Sequence, residues 1–339
     1  MNIKIVNNIY AEQGGITMQY KNLEGIKIPL SGLVYGTGMA KITGDDPGAA
    51  AEVLDMAFEA GFRVFDSANS YGNAEKNFGK WLADRGLREQ VVILDKGCNP
   101  GQKGSTDIFS AETIREQVKE SQRRLQTERL DLYILHRDDE TKPVDEIVEV
   151  LNELKDQGII THFGGSNWRL SRIQAANAYA KEHGLTGFTV TSPCYSLAEF
   201  TRDPWGGSVC LSGEQAGTYR DWLAENQMPT FIYSSLGRGY LSGKYRTDKD
   251  KPIEECISWA PIEEYHCEKN KERLHRAEIL AEKKGVTVPQ ICLAWLFLQP
   301  QNLFPIVSPG SEKHMRDNVA AYEVQMTAEE AKWLLTGEE

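Results

Sequence analysis

Strand-like and helix-like segments alternate from residue 31 to the C-terminus, and this alternation constrains the fold more than any other feature. Short apolar runs rich in β-branched and aromatic residues fall at 33–36, 63–68, 91–96, 130–136, 159–167, 188–192, 230–236 and 303–307. Helical patterns lie between them, over 111–125, 144–156, 170–183, 213–226, 268–284 and 288–298, with two more at 312–321 and 328–336. Asp46 reads as the cap of the first helix and Pro47 as its first residue. Val53, Met56, Ala57 and Ala60 continue that helix at helical spacing, and Gly61 closes it. Several strands are apolar throughout, as in a parallel sheet buried on both faces. Eight β-α units predict an α/β fold, a closed (β/α)8 TIM barrel, with a doubly wound sheet as the alternative. Against that alternative, no Gly-x-Gly-x-x-Gly occurs; Gly237-Arg-Gly239-Tyr-Leu-Ser242 lacks the third glycine.

Residues 18–30 predict a hairpin turning near Glu24-Gly25, ahead of the barrel. Residues 1–17 read as a polar extension, and 18–339 as one domain. Two long spans follow the sixth and seventh strands, 194–212 and 237–267, rich in Gly, Trp and Tyr. A barrel puts both at its C-terminal rim, where loops shape substrate pockets. The net charge of −11 speaks against nucleic acid or an anionic membrane as the main partner, since both demand a basic face. Six cysteines without a C-x-x-C predict reduced thiols and a cytoplasmic protein. No apolar run has the length of a bilayer span. His266, Cys267 and Cys256 match no zinc spacing, so no metal is expected.

Four polar residues stand at or just past the ends of three consecutive strands: Asp66, Tyr71, Lys96 and His136. Singly, each has an ordinary reading: a helix cap, a packed ring, a solvated amine, a satisfied core histidine. Together they make a proton-transfer site. A phenol with a pKa of about 10 is protonated at neutral pH. It can give its proton to a carbonyl oxygen that is gaining charge. A neighbouring lysine ammonium stabilises the phenolate left behind and lowers the phenol pKa. Asp66 would hold Lys96 and offset the burial of its charge. His136 would donate to the substrate oxygen. No side chain here delivers a hydride, so the electrons must come from a cofactor.

Asp66-Ser-Ala-Asn-Ser-Tyr71-Gly72, Lys96-Gly97, Leu135-His136-Arg137, Gly165-Ser166-Asn167 and Ser235-Leu-Gly-Arg-Gly-Tyr-Leu-Ser-Gly243 resemble, in order, the motifs of the aldo-keto reductase superfamily. The resemblance runs from about residue 18 onward. It implies a barrel that binds NADPH or NADP⁺ (NADH possible) across its rim, with Tyr71 as proton donor and Asp66, Lys96 and His136 completing the tetrad. It implies Ser166 and Asn167 at the nicotinamide carboxamide, Tyr233 stacked on the ring, and Thr37 and Gly38 at the cofactor. Ser192 stands where the family usually has glutamine. Ser234 to Gly239, with Leu236 and Arg238, would face the pyrophosphate. Ser308, Gly310, Ser311 and Asn318 fit the strand-to-helix phosphate motif. His314 takes the place of a frequent arginine, for which Lys313 or Arg316 could substitute.

Rim position selects Met39, Arg137, Trp168, Tyr195 and Trp205 as substrate contacts. Arg137 would bind a carboxylate or a sugar hydroxyl, or else pair with Asp138 or Asp139. The expected activity is an NADP(H)-dependent interconversion of an aldehyde, ketone or sugar carbonyl and an alcohol. The rivals are a redox-sensing regulatory subunit and a barrel isomerase or aldolase using Lys96 as a Schiff-base amine. The partner is a small molecule in either enzymatic case; the number of subunits is not specified by the sequence.

Overall fold

Eight parallel strands close into a barrel in the computed structural model, which describes residues 5–6, 17–100 and 108–338. Three short antiparallel strands come first: β1 (Ile5–Val6), β2 (Tyr20–Lys21) and β3 (Leu30–Ser31). β2 and β3 are the expected hairpin, with its turn at Glu24 and Gly25, where Gly25 takes a φ of 82°. The extension expected over 1–17 lies outside the described residues, apart from Thr17 and the Ile5–Val6 strand paired with β2.

The barrel strands are β4 (Val34–Gly36), β5 (Val64–Asp66), β6 (Val92–Gly97), β7 (Leu130–Leu135), β8 (Ile160–Ser166), β9 (Val190–Ser192), β10 (Thr230–Ile232) and β11 (Leu303–Val307). They pair in chain order, and β11 closes onto β4. A helix returns the chain after each strand, as parallel neighbours require. The first spans Pro47–Glu59, and Asp46 Oδ1 caps it by accepting from Gly48 N (2.9 Å) and Ala49 N (3.1 Å). The helix after Tyr71 spans Ala74–Arg85 and lays Phe78 and Trp81 on Phe65 of β5, at centroid distances of 5.2 and 5.6 Å. Burying such a ring contributes about 1.5–3 kcal/mol.

Side chains on a strand alternate between its faces. Val34, Val64, Val92, Leu94, Leu132, Ile134, Val190, Phe231, Phe304 and Ile306 form one buried group inside the barrel. Phe231 and Phe304 stack at 4.9 Å in its centre. Leu23 and Leu30 of the hairpin join this group, so the hairpin plugs the end where the strands begin. The same alternation positions the chemistry. Val64 faces inward, so Asp66 does too. Leu94 carries the phase to Lys96, and Ile134 carries it to His136. Three polar groups thus reach the lumen at the C-terminal mouth, above a layer of packed aliphatics. No helix among the described residues is long and apolar enough to cross a membrane.

Candidate active site

Lys96 and Asp66 form a buried ion pair, with side chains 3% and 5% exposed. Lys96 Nζ also donates to Ser67 O at 2.9 Å and stands 5.2 Å from the centre of the Tyr71 ring. The Tyr71 ring meets His136 edge-on, at 5.7 Å and 77°. Ser70 Oγ lies 3.4 Å from His136 Nδ1. Tyr71 keeps part of its surface open to a cavity of about 1780 Å³ that Asp66, Lys96 and His136 also line.

The loop carrying Tyr71 is tied to the strands on either side. Thr37 N donates to Asp66 O (2.9 Å), Ser67 N to Leu94 O (2.8 Å) and Asn69 N to Lys96 O (2.9 Å). Behind the loop, Gln117 Oε1 accepts from Asn69 Nδ2 (2.7 Å) and from Cys98 N (2.6 Å). Arg124 Nη1 donates to Asn69 O at 3.2 Å. Gly38 puts bare backbone against the phenol: a Cβ there would sit 3.4 Å from Tyr71 Cε2. The Gln117–Asn69 brace escapes sequence reading, because nothing local marks two side chains 48 positions apart as partners.

Burial is the main influence on the Tyr71 phenol and pushes its pKa up; Lys96 opposes this without reversing it. The expected lowering by Lys96 is therefore present but outweighed. Burial also pulls on Lys96, yet the Asp66 carboxylate paired with it prevails and holds its pKa above the ordinary lysine value. Lys96 is thus an ammonium at neutral pH. His136 titrates well below its usual range because it is buried, with Lys96 and Arg137 adding to the effect. A neutral imidazole keeps one N–H to donate. The site accordingly holds a protonated phenol, a fixed ammonium and a neutral imidazole around one opening.

Most of the residues expected to hold a cofactor line the same cavity: Gly38, Ser166, Asn167, Tyr233, Ser234, Leu236, Arg238 and Gly239, then Ser308, Gly310, His314 and Asn318. Ser234, Gly237, Arg238 and Gly239 all have positive φ, between 53° and 102°, so this turn presents backbone to the opening. Gly36 also lines the cavity and has no room for a side chain: a Cβ there would lie 2.5 Å from Ser308 Oγ. Ser311 caps the helix Glu312–Val319 by accepting from His314 N, and the helix N-terminus favours an anion. Lys244 and Lys313 also line the cavity, with no carboxylate partner among the described residues. Cations, a helix terminus and exposed backbone amides are a donor set that fits the phosphates of a dinucleotide. Sequence reading missed Gly36 and Lys244, although a lysine in a glycine-containing rim loop was a usable signal.

Asn167, with a φ of 61°, has its amide fully engaged. Its Nδ2 donates to His136 O (3.2 Å) and Ser166 Oγ (3.1 Å), and its Oδ1 accepts from Val209 N (3.1 Å) and Tyr233 Oη (2.6 Å). A bound carboxamide would have to exchange one of these bonds.

Six of the expected site residues lie away from the cavity surface or are already paired within the protein. Thr37 is fully buried and donates from Oγ1 to Asp66 O (2.9 Å), so it braces the tetrad rather than facing the cavity. Ser192 lies beneath the surface, with its backbone oxygen accepting from Ser166 Oγ (2.7 Å). Trp168 is fully buried; it packs on Phe188 at 4.8 Å and donates from Nε1 to Arg137 O (2.9 Å). Tyr195 turns outward, to Trp295 and Gln299. Arg238 reaches the cavity but is paired with Glu264, which reduces its charge toward a pyrophosphate. Ser311 acts as a cap rather than a lining residue, while Met39, Arg137 and Trp205 do line the opening.

A barrel with this tetrad at its mouth is the architecture of an oxidoreductase of the (β/α)8 class. The Aldo/keto reductase family model matches residues 32–334, and the chain belongs to that family. The probable aryl-alcohol dehydrogenase AAD4 of Saccharomyces cerevisiae is 27% identical over 303 residues, covering 84% of this chain and 86% of that protein. A probable voltage-gated potassium channel subunit beta of Oryza sativa subsp. japonica is also 27% identical, over 91% of this chain and 92% of its own. Among solved structures, the thermostable aldo-keto reductase Tm1743, in complex with the inhibitor epalrestat, superposes with a TM-score of 0.69. It is 23% identical, covers 94% of this chain and 98% of its own, and so speaks to the fold.

Proposed function

We propose that the protein reduces an aldehyde, ketone or sugar carbonyl to the alcohol, with Tyr71 as the proton donor and NADPH as the reductant. The observation that carries this is Tyr71 itself, partly open to the cavity beside a buried ammonium and a neutral imidazole. A carbonyl oxygen seated between Tyr71 and His136 would meet two donors. Burial keeps the proton on Tyr71 until the oxygen becomes basic enough to take it. The Lys96 ammonium then stabilises the phenolate, and Asp66 keeps that ammonium in place. Reduced nicotinamide held along Ser166, Asn167 and Tyr233 would supply the hydride.

Lys244 and Lys313, which line the cavity without a carboxylate partner among the described residues, support NADPH over NADH, because a 2′-phosphate adds charge for them to meet. Both cofactors should be compared across a panel of aldehydes, ketones and sugars. The expected result is turnover with kcat/KM about tenfold or more higher for NADPH, the worth of about one charge-assisted hydrogen bond. A clear preference for NADH would remove the cofactor assignment. Tight NADPH binding with no turnover of any carbonyl would instead point to a regulatory subunit.

A further inference from the structure

Arginines at the cavity rim have carboxylate partners, with one exception. Arg169 pairs with Glu140 (3.0 Å), Arg246 with Asp248 (2.7 Å), and Arg238 with Glu264. Arg137 has none among the described residues that line the cavity. The carboxylate next to it in sequence, Asp138, is taken by Arg172, through Nε at 2.9 Å and Nη2 at 3.0 Å. Asp139 turns to Thr141, accepting from its N (3.0 Å) and Oγ1 (2.6 Å). Asp203, on the facing loop, accepts from Trp205 N (3.1 Å) and Ser208 N (2.8 Å). Arg137 Nη1 is closed off from water and makes no hydrogen bond to any described residue. A buried donor without a partner is unfavourable, and more so when charged. Such a group calls for an acceptor that the described residues do not provide.

Its placement says which ligand that acceptor belongs to. Arg137 follows His136 directly, and its charge reaches both His136 and the Tyr71 phenol. Its backbone is fixed by the Trp168 indole, which donates to Arg137 O at 2.9 Å. Its guanidinium lies 5.7 Å from the centre of the Trp205 ring, which is 47% exposed on a rim loop. A cation is thus held at the reacting end of the cavity, covered by an indole that stands partly in solvent.

We propose that Arg137 selects carbonyl substrates carrying an anionic group, a carboxylate or phosphate, a few bonds from the reacting carbon. The inference rests on the carbonyl-reductase reading above. A guanidinium binds either anion in bidentate fashion, and Trp205 moves aside to admit it.

The test compares matched charged and neutral aldehydes with NADPH: 4-oxobutanoate against butanal, and glyceraldehyde 3-phosphate against glyceraldehyde. The wild-type protein should favour one charged member over its neutral partner by about 10- to 100-fold in kcat/KM, as for a hydrogen bond between charged groups. The favoured pair tells carboxylate from phosphate. Arg137→Gln should abolish the preference, chiefly through KM for the charged aldehyde; Arg137→Lys should recover part of it. By calorimetry, succinate or inorganic phosphate, whichever matches the favoured pair, should bind the wild-type protein and not Arg137→Gln. No charge preference in the wild-type protein overturns the proposal. So does an equal loss on the neutral aldehyde, which would mean that Arg137 acts through Tyr71, or a weakened NADPH Kd, which would assign it to the cofactor. If no aldehyde is turned over but the anion still binds through Arg137, the anion site stands and the reductase reading fails.

Discussion

Tyr71→Phe is expected to lower kcat for carbonyl reduction by about 10²- to 10⁴-fold, the usual worth of a positioned general acid, with the NADPH Kd within about twofold. The substitution removes one oxygen and keeps the ring. The contact with Gly38 at 3.4 Å and the edge-on packing on His136 at 5.7 Å therefore persist. The pH profile follows from the same group. Its folded-state pKa is raised above the ordinary phenol value, with burial as the main cause and Lys96 opposing. The acid form thus survives through neutral and mildly alkaline pH. Reduction should be flat from about pH 7 to 9 and fall only at or above the usual phenol range near pH 10. Alcohol oxidation needs the phenolate, so its rate should rise where reduction falls. His136, whose pKa lies well below its usual range, should add no step near neutrality. Steady-state rates and cofactor fluorescence titrations on both proteins check this; turnover of Tyr71→Phe within about tenfold of wild type would refute the role of the phenol.

Lys96→Met is expected to do two kinds of damage. It removes the charge that stabilises the phenolate, which should lower kcat by about 10²-fold or more. It also leaves Asp66, only 4% exposed, without its counter-ion. Breaking a buried pair from one side typically destabilises a protein by about 3–5 kcal/mol, whereas removing both charges together can be nearly neutral. The double variant Lys96→Met with Asp66→Asn should therefore recover most of the lost stability in urea melts and none of the lost turnover. Recovery of both would mean that the pair serves the fold alone. Loss of both would show that Lys96 holds the fold by contacts other than its charge pair.

The parts legible in the sequence were those set by local periodicity. Asp66, Lys96 and His136 could be assigned to one mouth because each stands at the end of a strand and a barrel brings those ends together; the structure adds that each sits two residues after an inward-facing aliphatic: Val64, Leu94 and Ile134. The hairpin and the Asp46 cap are equally local. What could not be read depends on contacts from distant segments. Trp168 stands at a strand end like a rim residue, but Gly165 leaves room for its ring to fold beneath β8; a Cβ there would lie 2.4 Å from Trp168 Cδ1. Tyr195 finds Gln299, 104 positions away. Arg137 was open to pairing with Asp138 until Arg172, from the next helix, claimed that carboxylate. The phenol pKa shows the same limit from the electrostatic side. A neighbouring lysine is visible in a sequence; the depth of burial that outweighs it is not.

Reduction of a carbonyl from the substrate panel with NADPH carrying deuterium at both C4 positions most directly tests hydride transfer at this site. The alcohol formed by the wild-type protein is expected to carry deuterium on its carbinol carbon, one-to-one with cofactor oxidised. Lys96, protonated and paired with Asp66, is a poor nucleophile, so borohydride should trap no substrate on it. A deuterium-free product, or a borohydride-stable adduct at Lys96, would contradict carbonyl reduction by hydride transfer and favour Schiff-base chemistry in the same barrel.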